Sequence, residues 1–595
     1  MSVSKSGKSA SVGPLVFSLL SVAIGIVAGL GAVVFRGLIA LFHNLMFLGH
    51  FSFSYDANVH TPASPWGIWV IAIPVVGAAG VAFLVKNFAP EAKGHGVPEV
   101  MDACYYNKGI IRPVVAVIKS VASALSIGSG GSIGREGPII QIGASFGSTL
   151  GQWMKLSVWQ RVAMIAAGAG GGIAATFNTP LGGILFSLEI MLQELSVRTI
   201  VPVIISTVTA TYIGRLFFGD HPSFIIPQFD TFSLHMTQPA MLLAYVGLGV
   251  LVGLVSVVFI RSIYGFEDFF EKKVPGNYYT RHMSGMLLVG ITMYLMLSFY
   301  GHYYTEGVGY STVQDILTGR LSLFGLLILL FVLKLLSTSL TLGSGASGGI
   351  FSPSLYMGAT LGGAYGLALG WFIPGMAAHA PAFGVAGMAG VVGGATGAAI
   401  AAVVMIFEMT SDYQVAIPMA ITVAVAYMVR RMFLAESIYT LKLVRRGHYM
   451  PDALQTNFIY LRRARNLMRK NFVSIPAGQT VSQFAAIAKG EPQVDRFVVA
   501  DEGRLVGTIT RAAIFDALQL GRSEEKIGEL VKDDHVTVSE SKKFYQVINK
   551  LRASGASVAL VMSRADSANT ADIQGIITKE DMSDAIAGSL ELFSD

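Results

Sequence analysis

Two distant stretches of this chain are versions of one segment, and this internal repeat constrains the fold more than any other feature. Gly128–Gly151 (GSGGSIGREGPIIQIGASFGSTLG) aligns without a gap with Gly343–Gly366 (GSGASGGIFSPSLYMGATLGGAYG). Each copy begins with a Gly/Ser loop and continues into an apolar run. Paired, Gly-interrupted apolar segments in two halves of a chain indicate a transport site at the bilayer midplane. The N–H groups and positive dipole end of a helix N-terminus suit an anion.

The composition is that of a membrane protein. Of 595 residues, 53% are hydrophobic and 13% are charged, whereas soluble proteins have about 25% charged residues. Apolar runs recur from Leu15 to Val429, and several are long enough to cross a hydrocarbon core of ~30 Å. The 67 glycines suit close helix packing and chain breaks. We expect a multi-pass α-helical protein whose first membrane helix is Leu15–Phe35, rather than a cleaved signal.

A second repeat supports two homologous halves. Ala166–Met191 resembles Ala386–Met409, in the same order and at nearly the same separation as the first repeat. Glu189 of the first copy corresponds to Glu408 of the second. Two ordered repeats predict two homologous halves.

The composition changes near Arg445, and residues Asn457–Asp595 read as soluble protein. Short strand-like runs alternate there with helical patterns, which predicts α/β units; the runs are Arg496–Val499, Val506–Ile509, Ser557–Met562 and Gly575–Ile577. Val506–Leu518 (VGTITRAAIFDAL) matches Gln574–Ile586 (QGIITKEDMSDAI), so this region is also a repeat.

Charge and cysteine content narrow the function classes. The net charge is +6, but the basic residues form no single patch, so we expect no nucleic-acid partner. They concentrate at Lys442–Lys470, after the last apolar run, which favours a cytoplasmic C-terminus. Cys104 is the only cysteine, which excludes an intrachain disulfide. The membrane part shows neither a metal-ligand cluster nor a nucleophile–base constellation, and Cys104 has no evident partner motif, so no enzyme and no metal site are predicted.

Four segments together resemble the CLC family of chloride channels and proton-coupled chloride exchangers. They are GHGVP (Gly94–Pro98), GREGP (Gly134–Pro138), GGIFSP (Gly348–Pro353) and Tyr439 in ESIYTLKL. The soluble tail resembles a pair of CBS modules, which many CLC proteins carry. The resemblance implies a CLC-type membrane domain with broken helices and a two-half repeat, followed by a cytoplasmic α/β CBS pair.

The resemblance also implies an organisation. We expect an N-terminal cytoplasmic tail (1–13), a transmembrane domain (14–444), a linker (445–463), and CBS modules at 464–525 and 526–595. CLC proteins are homodimers with one pore per subunit, and the helices around Pro180–Leu192 and Ala399–Met409 correspond to the dimer interface. The expected location is the cell membrane.

By the same resemblance, the central anion lies among the Ile350 and Phe351 amides and the Tyr439 hydroxyl. Amides near Arg135, Gly137 and Ser352 line an outer anion site. Such weak donors replace the hydration of chloride without holding the ion too tightly to leave.

Glu136 corresponds to the gating glutamate of the family, whose carboxylate competes with chloride until a proton releases it. Acids at membrane depth are costly and indicate function. The alternative is a helix-capping acid paired with Arg135.

Two positions depart from the family pattern. His95 stands where many members have a serine that contacts the central ion. An imidazole there binds the anion, alters selectivity or adds pH dependence, unless its ring points away. The second departure is Ile190, which aligns with the internal glutamate of proton-coupled members; Glu189 is its neighbour. Isoleucine cannot carry a proton, which favours a passive channel, although Glu189, His95 or a water chain could replace the proton path.

In the tail, Thr578 and Asp581 keep a Thr-x-x-Asp pattern that holds the ribose of an adenine nucleotide in CBS pairs. The first copy has Ala513 in the acid position, so at most one such site is intact. The alternative is a structural CBS pair that binds nothing; no cofactor is required.

The favoured function is therefore passive, gated permeation of chloride or a similar monovalent anion. The alternatives are a proton-coupled chloride exchanger that uses another proton route, and a nucleotide sensor that has lost transport. Lys119 and Lys334, at matching positions of the two halves, either raise the pore potential or reach from helix ends to the membrane surface.

Overall fold

The structure is a computed structural model that describes residues 12–192, 196–224, 226, 239–448, 463–490, 494–531, 534–563 and 569–584. The chain divides into two compact units, Met1–Met450 and Pro451–Asp595, called here the membrane unit and the tail unit. Most of the expected N-terminal tail and linker, and the end of the second CBS module, lie outside the described residues.

The first half of the membrane unit contains eight α-helices. They are α1 (Pro14–His43), α2 (Ile73–Phe88), α3 (Val97–Tyr105), α4 (Val114–Gly128), α5 (Glu136–Trp153), α6 (Val158–Phe177), α7 (Pro180–Phe186) and α8 (Val197–Phe218).

The second half follows with helices in the same order. They are α9 (Pro239–Lys272), α10 (Tyr278–Tyr300), α11 (Tyr310–Leu317), α12 (Phe324–Ser344), α13 (Phe351–Leu369), α14 (Ala380–Thr396), α15 (Ala399–Thr410) and α16 (Ala416–Phe433); a short α17 (Thr440–Val444) ends the unit.

Within the described residues, eight helices are long and apolar enough to cross a membrane, and three shorter apolar helices accompany them. The expected first membrane helix is found as α1, which begins one residue before Leu15. Short helices such as α3, α7 and α11 cannot span ~30 Å, because a helix rises only 1.5 Å per residue. Broken backbone of this kind is tolerated at membrane depth only when it is buried in protein or lines a cavity.

Equivalent helices pack in equivalent ways. In the first half α5 packs on α6 and α1 on α8; in the second half α13 packs on α14 and α9 on α16. The fold class predicted from the repeats is therefore confirmed: a multi-pass helical protein built from two similar halves.

Glycines set the distance between the helices of each half. A Cβ added to Gly143 on α5 would lie 2.1 Å from the carbonyl oxygen of Gly168 on α6. In the second half a Cβ on Gly358 of α13 would lie 2.3 Å from the carbonyl oxygen of Gly387 on α14. The backbones meet directly, so neither position has room for a side chain.

The tail unit contains two three-stranded sheets with the same topology. Strands β1 (Ser474–Pro476), β2 (Arg496–Asp501) and β3 (Arg504–Thr510) form the first, and β4 (His535–Ser539), β5 (Val558–Met562) and β6 (Ile573–Thr578) form the second. In each sheet the first pair is parallel and the second antiparallel. Helices α18 (Val481–Gly490), α19 (Arg511–Gln519), α20 (Ile527–Leu530) and α21 (Phe544–Ser554) complete the unit.

We expect Gly143→Ala to lower the stability of the protein by about 1–3 kcal/mol, because the added methyl group forces α5 away from α6. The measurement is the melting temperature of the detergent-purified protein. Gly325→Ala on α12 is the matched control, since a Cβ there meets no atom within 4 Å. Equal melting temperatures for the two variants would contradict the close contact.

Candidate functional site

The two Gly-rich loops of the repeat are hydrogen-bonded to each other. The Gly134 N–H donates to the Gly349 carbonyl at 2.7 Å, and the Gly349 N–H donates to the Gly134 carbonyl at 2.6 Å. Helix α5 begins two residues after Gly134 and α13 two residues after Gly349. The reciprocal bonds therefore bring both helix N-termini together, and their free N–H groups share one region.

Gly137 shows how tightly the third loop joins this region. A Cβ at Gly137 would lie 2.2 Å from the His95 carbonyl oxygen and 3.0 Å from the Gly349 Cα. No other residue fits here without displacing backbone. GHGVP, GREGP and GGIFSP, which lie far apart in sequence, thus meet at one place.

Glu136, the first residue of α5, lies at the centre of this place and is 2% exposed. Its carboxylate accepts hydrogen bonds from the Tyr310 hydroxyl at 2.6 Å, the Ser352 backbone N–H at 3.3 Å and the Ser352 hydroxyl. We call Glu136, Tyr310 and Ser352 the gate cluster. The carboxylate thus accepts a hydrogen bond from the Ser352 backbone N–H, which the family resemblance assigns to the outer anion site.

Tyr310 was not singled out from the sequence, although a weak signal for it exists. The segment GVGY (Gly307–Tyr310) has the same glycine pattern as GHGV (Gly94–Val97). Both segments run into a short helix, α11 or α3. The repeat therefore extends to a third loop, and its second copy supplies a side chain of the gate cluster.

Arg135 precedes Glu136 and is 8% exposed. Its guanidinium lies 5.4 Å from the ring centre of Phe177 and 5.2 Å from that of Tyr310. Among the described residues it forms no ion pair with a carboxylate, Glu136 included. The alternative for Glu136, a capping acid paired with Arg135, requires an ion pair that is absent from the described residues.

His95 and Tyr439 lie together, with ring centres 5.8 Å apart. They are 6% and 2% exposed, and the His95 Nδ1 is buried without a hydrogen-bond partner in the described part of the chain. The two rings are therefore neighbours in one buried region. Ile350 and Phe351, at the start of α13, are buried as well.

Lys119 and Lys334 support the loops of the site. Lys119 on α4 donates to the carbonyls of Ala92 (2.9 Å) and Gly94 (2.7 Å). Lys334 on α12 donates to those of Thr305 (3.1 Å) and Gly307 (2.9 Å). Both side chains are fully buried, and both residues lie away from the ends of their helices. The alternative that they reach from helix ends to the membrane surface is therefore wrong.

Glu189, the sequence neighbour of Ile190, caps a helix. Ile190 is buried in a π-helical turn after α7. The Glu189 carboxylate accepts the N–H groups of Ile400 (3.3 Å) and Ala401 (2.9 Å) at the start of α15.

The second half mirrors this contact. The Glu408 carboxylate accepts the N–H groups of Leu181 (3.0 Å) and Gly182 (2.7 Å) at the start of α7. Each half thus lends one acid to the helix N-terminus of the other, which is a favourable place for a carboxylate.

In the tail unit, Asp581 is 8% exposed and fully engaged. Its Oδ2 accepts from the Thr578 N–H at 2.8 Å and from the Thr578 hydroxyl at 2.9 Å. Its Oδ1 pairs with the Arg469 guanidinium. The two predicted residues lie together, and Arg469 is an additional partner that the sequence pattern did not indicate.

Comparison with known proteins agrees with the motifs. The family model described as "Voltage gated chloride channel" matches residues 77–431, and that of the CBS domain matches residues 464–520. The "H(+)/Cl(-) exchange transporter ClcA" of Yersinia pseudotuberculosis is 31% identical over 436 residues, 73% of this chain and 88% of the relative. The "Putative chloride channel protein ClcB-like" of Ralstonia nicotianae is 31% identical over 64% of this chain and 87% of its own.

Solved structures match as well. A slow cyanobacterial Cl⁻/H⁺ antiporter covers 73% of this chain and 99% of its own, at 26% identity and a TM-score of 0.62. A eukaryotic CLC transporter covers 95% of this chain and 98% of its own, at 21% identity and a TM-score of 0.57, which shows the shared fold. The chain belongs to the CLC family, whose members are membrane channels and transporters of chloride rather than enzymes.

Proposed function

We propose that this protein is a passive, gated pathway for chloride or a similar monovalent anion, with Glu136 as its gate. The supporting observation is the gate cluster, where the Glu136 carboxylate takes the Ser352 amide that an anion would otherwise use. A carboxylate and a chloride compete for the same neutral donors, so protonation of Glu136 frees those donors for the anion.

Two features near α7 support passive permeation. Ile190, at the position that the resemblance assigns to proton coupling, has no ionisable group. Glu189 has one, but its carboxylate is bound to the N-terminus of α15. Moving this side chain to carry protons would take the carboxylate away from two N–H groups, of which that of Ala401 is partly buried, and this is costly.

Proton-coupled exchange is the second candidate. It is supported by the similarity to relatives named as H(+)/Cl(-) exchange transporters. Exchange in this chain requires a proton route that avoids Ile190, either through His95, whose Nδ1 is unpartnered in the described part, or through water.

We further propose a homodimer in the cell membrane, with one pore per subunit and the tail unit in the cytoplasm. Leu181 on α7 and Ile400 on α15 support the interface, since their side chains are 54% and 63% exposed on helices that the resemblance assigns to it. The basic residues after α16 support the orientation.

The decisive experiment is the reversal potential of the purified protein in liposomes, under a chloride gradient with and without an opposing pH gradient. A passive pathway gives the chloride Nernst potential in both conditions. A reversal potential that moves with the pH gradient would contradict passive permeation and establish exchange. Empty liposomes are the control for leak.

Tyr310→Phe should raise chloride flux at neutral pH, because the Glu136 carboxylate loses a hydrogen bond and competes less well with chloride. Hydrogen bonds to charged groups contribute about 1.5–3 kcal/mol, so half-maximal flux should move to a pH higher by roughly one unit. Lys334 and Tyr439, which interact electrostatically with Glu136, and the neighbouring Arg135 are unchanged in this variant.

The matched control is Tyr365→Phe. Tyr365 lies on α13, and its hydroxyl donates to the Ala244 carbonyl of α9 rather than to Glu136. Glu136→Gln sets the limit, since its flux should not respond to pH. A pH profile of Tyr310→Phe that coincides with that of Tyr365→Phe would remove Tyr310 from the gate.

For the tail unit we propose adenine-nucleotide binding at Thr578 and Asp581. The ribose hydroxyls would donate hydrogen bonds to the Asp581 carboxylate and displace Arg469 from it. The Arg469 guanidinium could then bind the phosphate groups. Asp581→Asn should weaken ATP binding to the full-length protein by about tenfold or more, measured by titration.

Asp495→Asn is the control for the tail unit, because this side chain is 92% exposed and belongs to the first module. Equal ATP affinities for wild type and Asp581→Asn would exclude Thr578 and Asp581 as the nucleotide site. No ATP binding by either protein would leave the tail unit a structural module.

A further inference from the structure

A cavity lies beside the gate, on the wall formed by Arg135. Its polar lining consists of Arg36, His43, Tyr55, Arg135 and Glu306. Backbone of Gly128, Gly130 and Gly307 completes the wall near the gate loops. His95 and Tyr439 do not contribute, so this chamber, called here the outer cavity, is separate from the central anion site. Gly137 and Ser352 are absent from the lining too, so the cavity shares only Arg135 with the outer anion site that the resemblance implies.

Three buried atoms that belong to this lining have no hydrogen-bond partner in the described part of the chain. They are the Arg135 Nε, the His43 Nδ1 and the Glu306 Oε2. Buried polar atoms are normally satisfied by protein, water or an ion. Their concentration around one cavity indicates that the cavity is hydrated or holds an ion.

The two arginines favour an anion. The Arg36 guanidinium lies 4.4 Å from the Phe218 ring centre, and Arg135 lies over Phe177 and Tyr310. Neither forms an ion pair with a carboxylate of the described residues. Each charge acts on the other, while Asp56 offsets Arg36 only through a longer-range attraction. Like charges facing one partly buried space are unfavourable unless an opposite charge joins them.

Glu306 sets a limit on how tightly an anion can be held. Its Oε1 accepts from the Thr61 hydroxyl and lies 3.9 Å from the His43 Nε2. The carboxylate is thus engaged with its own neighbours, yet it repels an anion in the same cavity. Moderate affinity suits a site through which ions must pass.

We propose that the outer cavity is an additional anion-binding site, where a halide is held by the Arg36 and Arg135 guanidinium groups before it reaches the gate. Its role in loading the gate rests on the proposed anion pathway, whereas binding itself does not. In the proposed orientation the site opens towards the outside, because α1 starts near the cytoplasmic N-terminus and ends at His43.

The binding test uses crystals of the full-length protein in bromide and the anomalous signal of the bound ion. The expected result is a bromide next to Arg36 and Arg135 in the wild type and its loss in Arg36→Met. A cavity without bromide in the wild type would overturn the proposal. Bromide at this position in a protein that shows no anion flux would overturn the proposed function and leave the binding site standing.

The kinetic test measures flux against external chloride in liposomes. Arg36→Met should raise the half-saturating chloride concentration by about three- to tenfold, as expected for the loss of one nearby charge. Arg320→Met is the matched control, since it removes the same charge from a side chain that is 76% exposed and outside the cavity lining. Equal increases in the two variants would overturn the proposal, because surface charge alone would then explain them.

Discussion

The reciprocal hydrogen bonds between Gly134 and Gly349 are the contact on which the functional site depends. They satisfy backbone groups of two irregular loops at membrane depth, where unpaired N–H and carbonyl groups are costly. They also fix the relative positions of the first residues of α5 and α13. Because of this contact, Glu136 from one half lies beside Ser352 from the other. The proposed gate is therefore formed at the interface between the halves rather than within either half.

Two buried lysine side chains also hold the loops of the site in place. Lys119 and Lys334 occupy matching positions, and each holds the carbonyl of the first glycine in a Gly-x-Gly loop. A buried ammonium is tolerated because it has these acceptors. One supporting device thus fixes two equivalent loops with different residues: the first contributes His95 near Tyr439, and the second leads to Tyr310 at the gate. The repeat conserves the scaffold, whereas the chemistry differs at equivalent positions.

Much of this arrangement could be predicted from sequence, because repeats and apolar runs are local patterns. The strand-like runs predict four of the six strands, namely β2, β3, β5 and β6. They do not predict β1, which has three residues, or β4, which has five. The motifs led to Glu136, Ser352 and Tyr439. Tyr310 could not be predicted in the same way, because it lies on α11, which carries no known motif. Its contact with Glu136 spans 174 positions of the sequence. The cap formed by Glu189 on α15 spans 212 positions, so the sequence showed an acid beside Ile190 but not what that acid binds.

The donors around Glu136 explain how a carboxylate at this depth can act as a gate rather than as a permanent plug. An ion pair with Arg135 would hold the carboxylate strongly, and breaking a buried pair is costly. Arg135 instead stacks over aromatic rings, and the carboxylate is bound by two hydroxyl groups and one amide. In the proposed mechanism, neutral donors bind the carboxylate firmly enough to close the path, and they become available to a chloride ion once the carboxylate is protonated. Because Arg135 has no carboxylate partner in the described part of the chain, the proposed gate stays reversible and the guanidinium can attract an anion to the proposed site in the outer cavity.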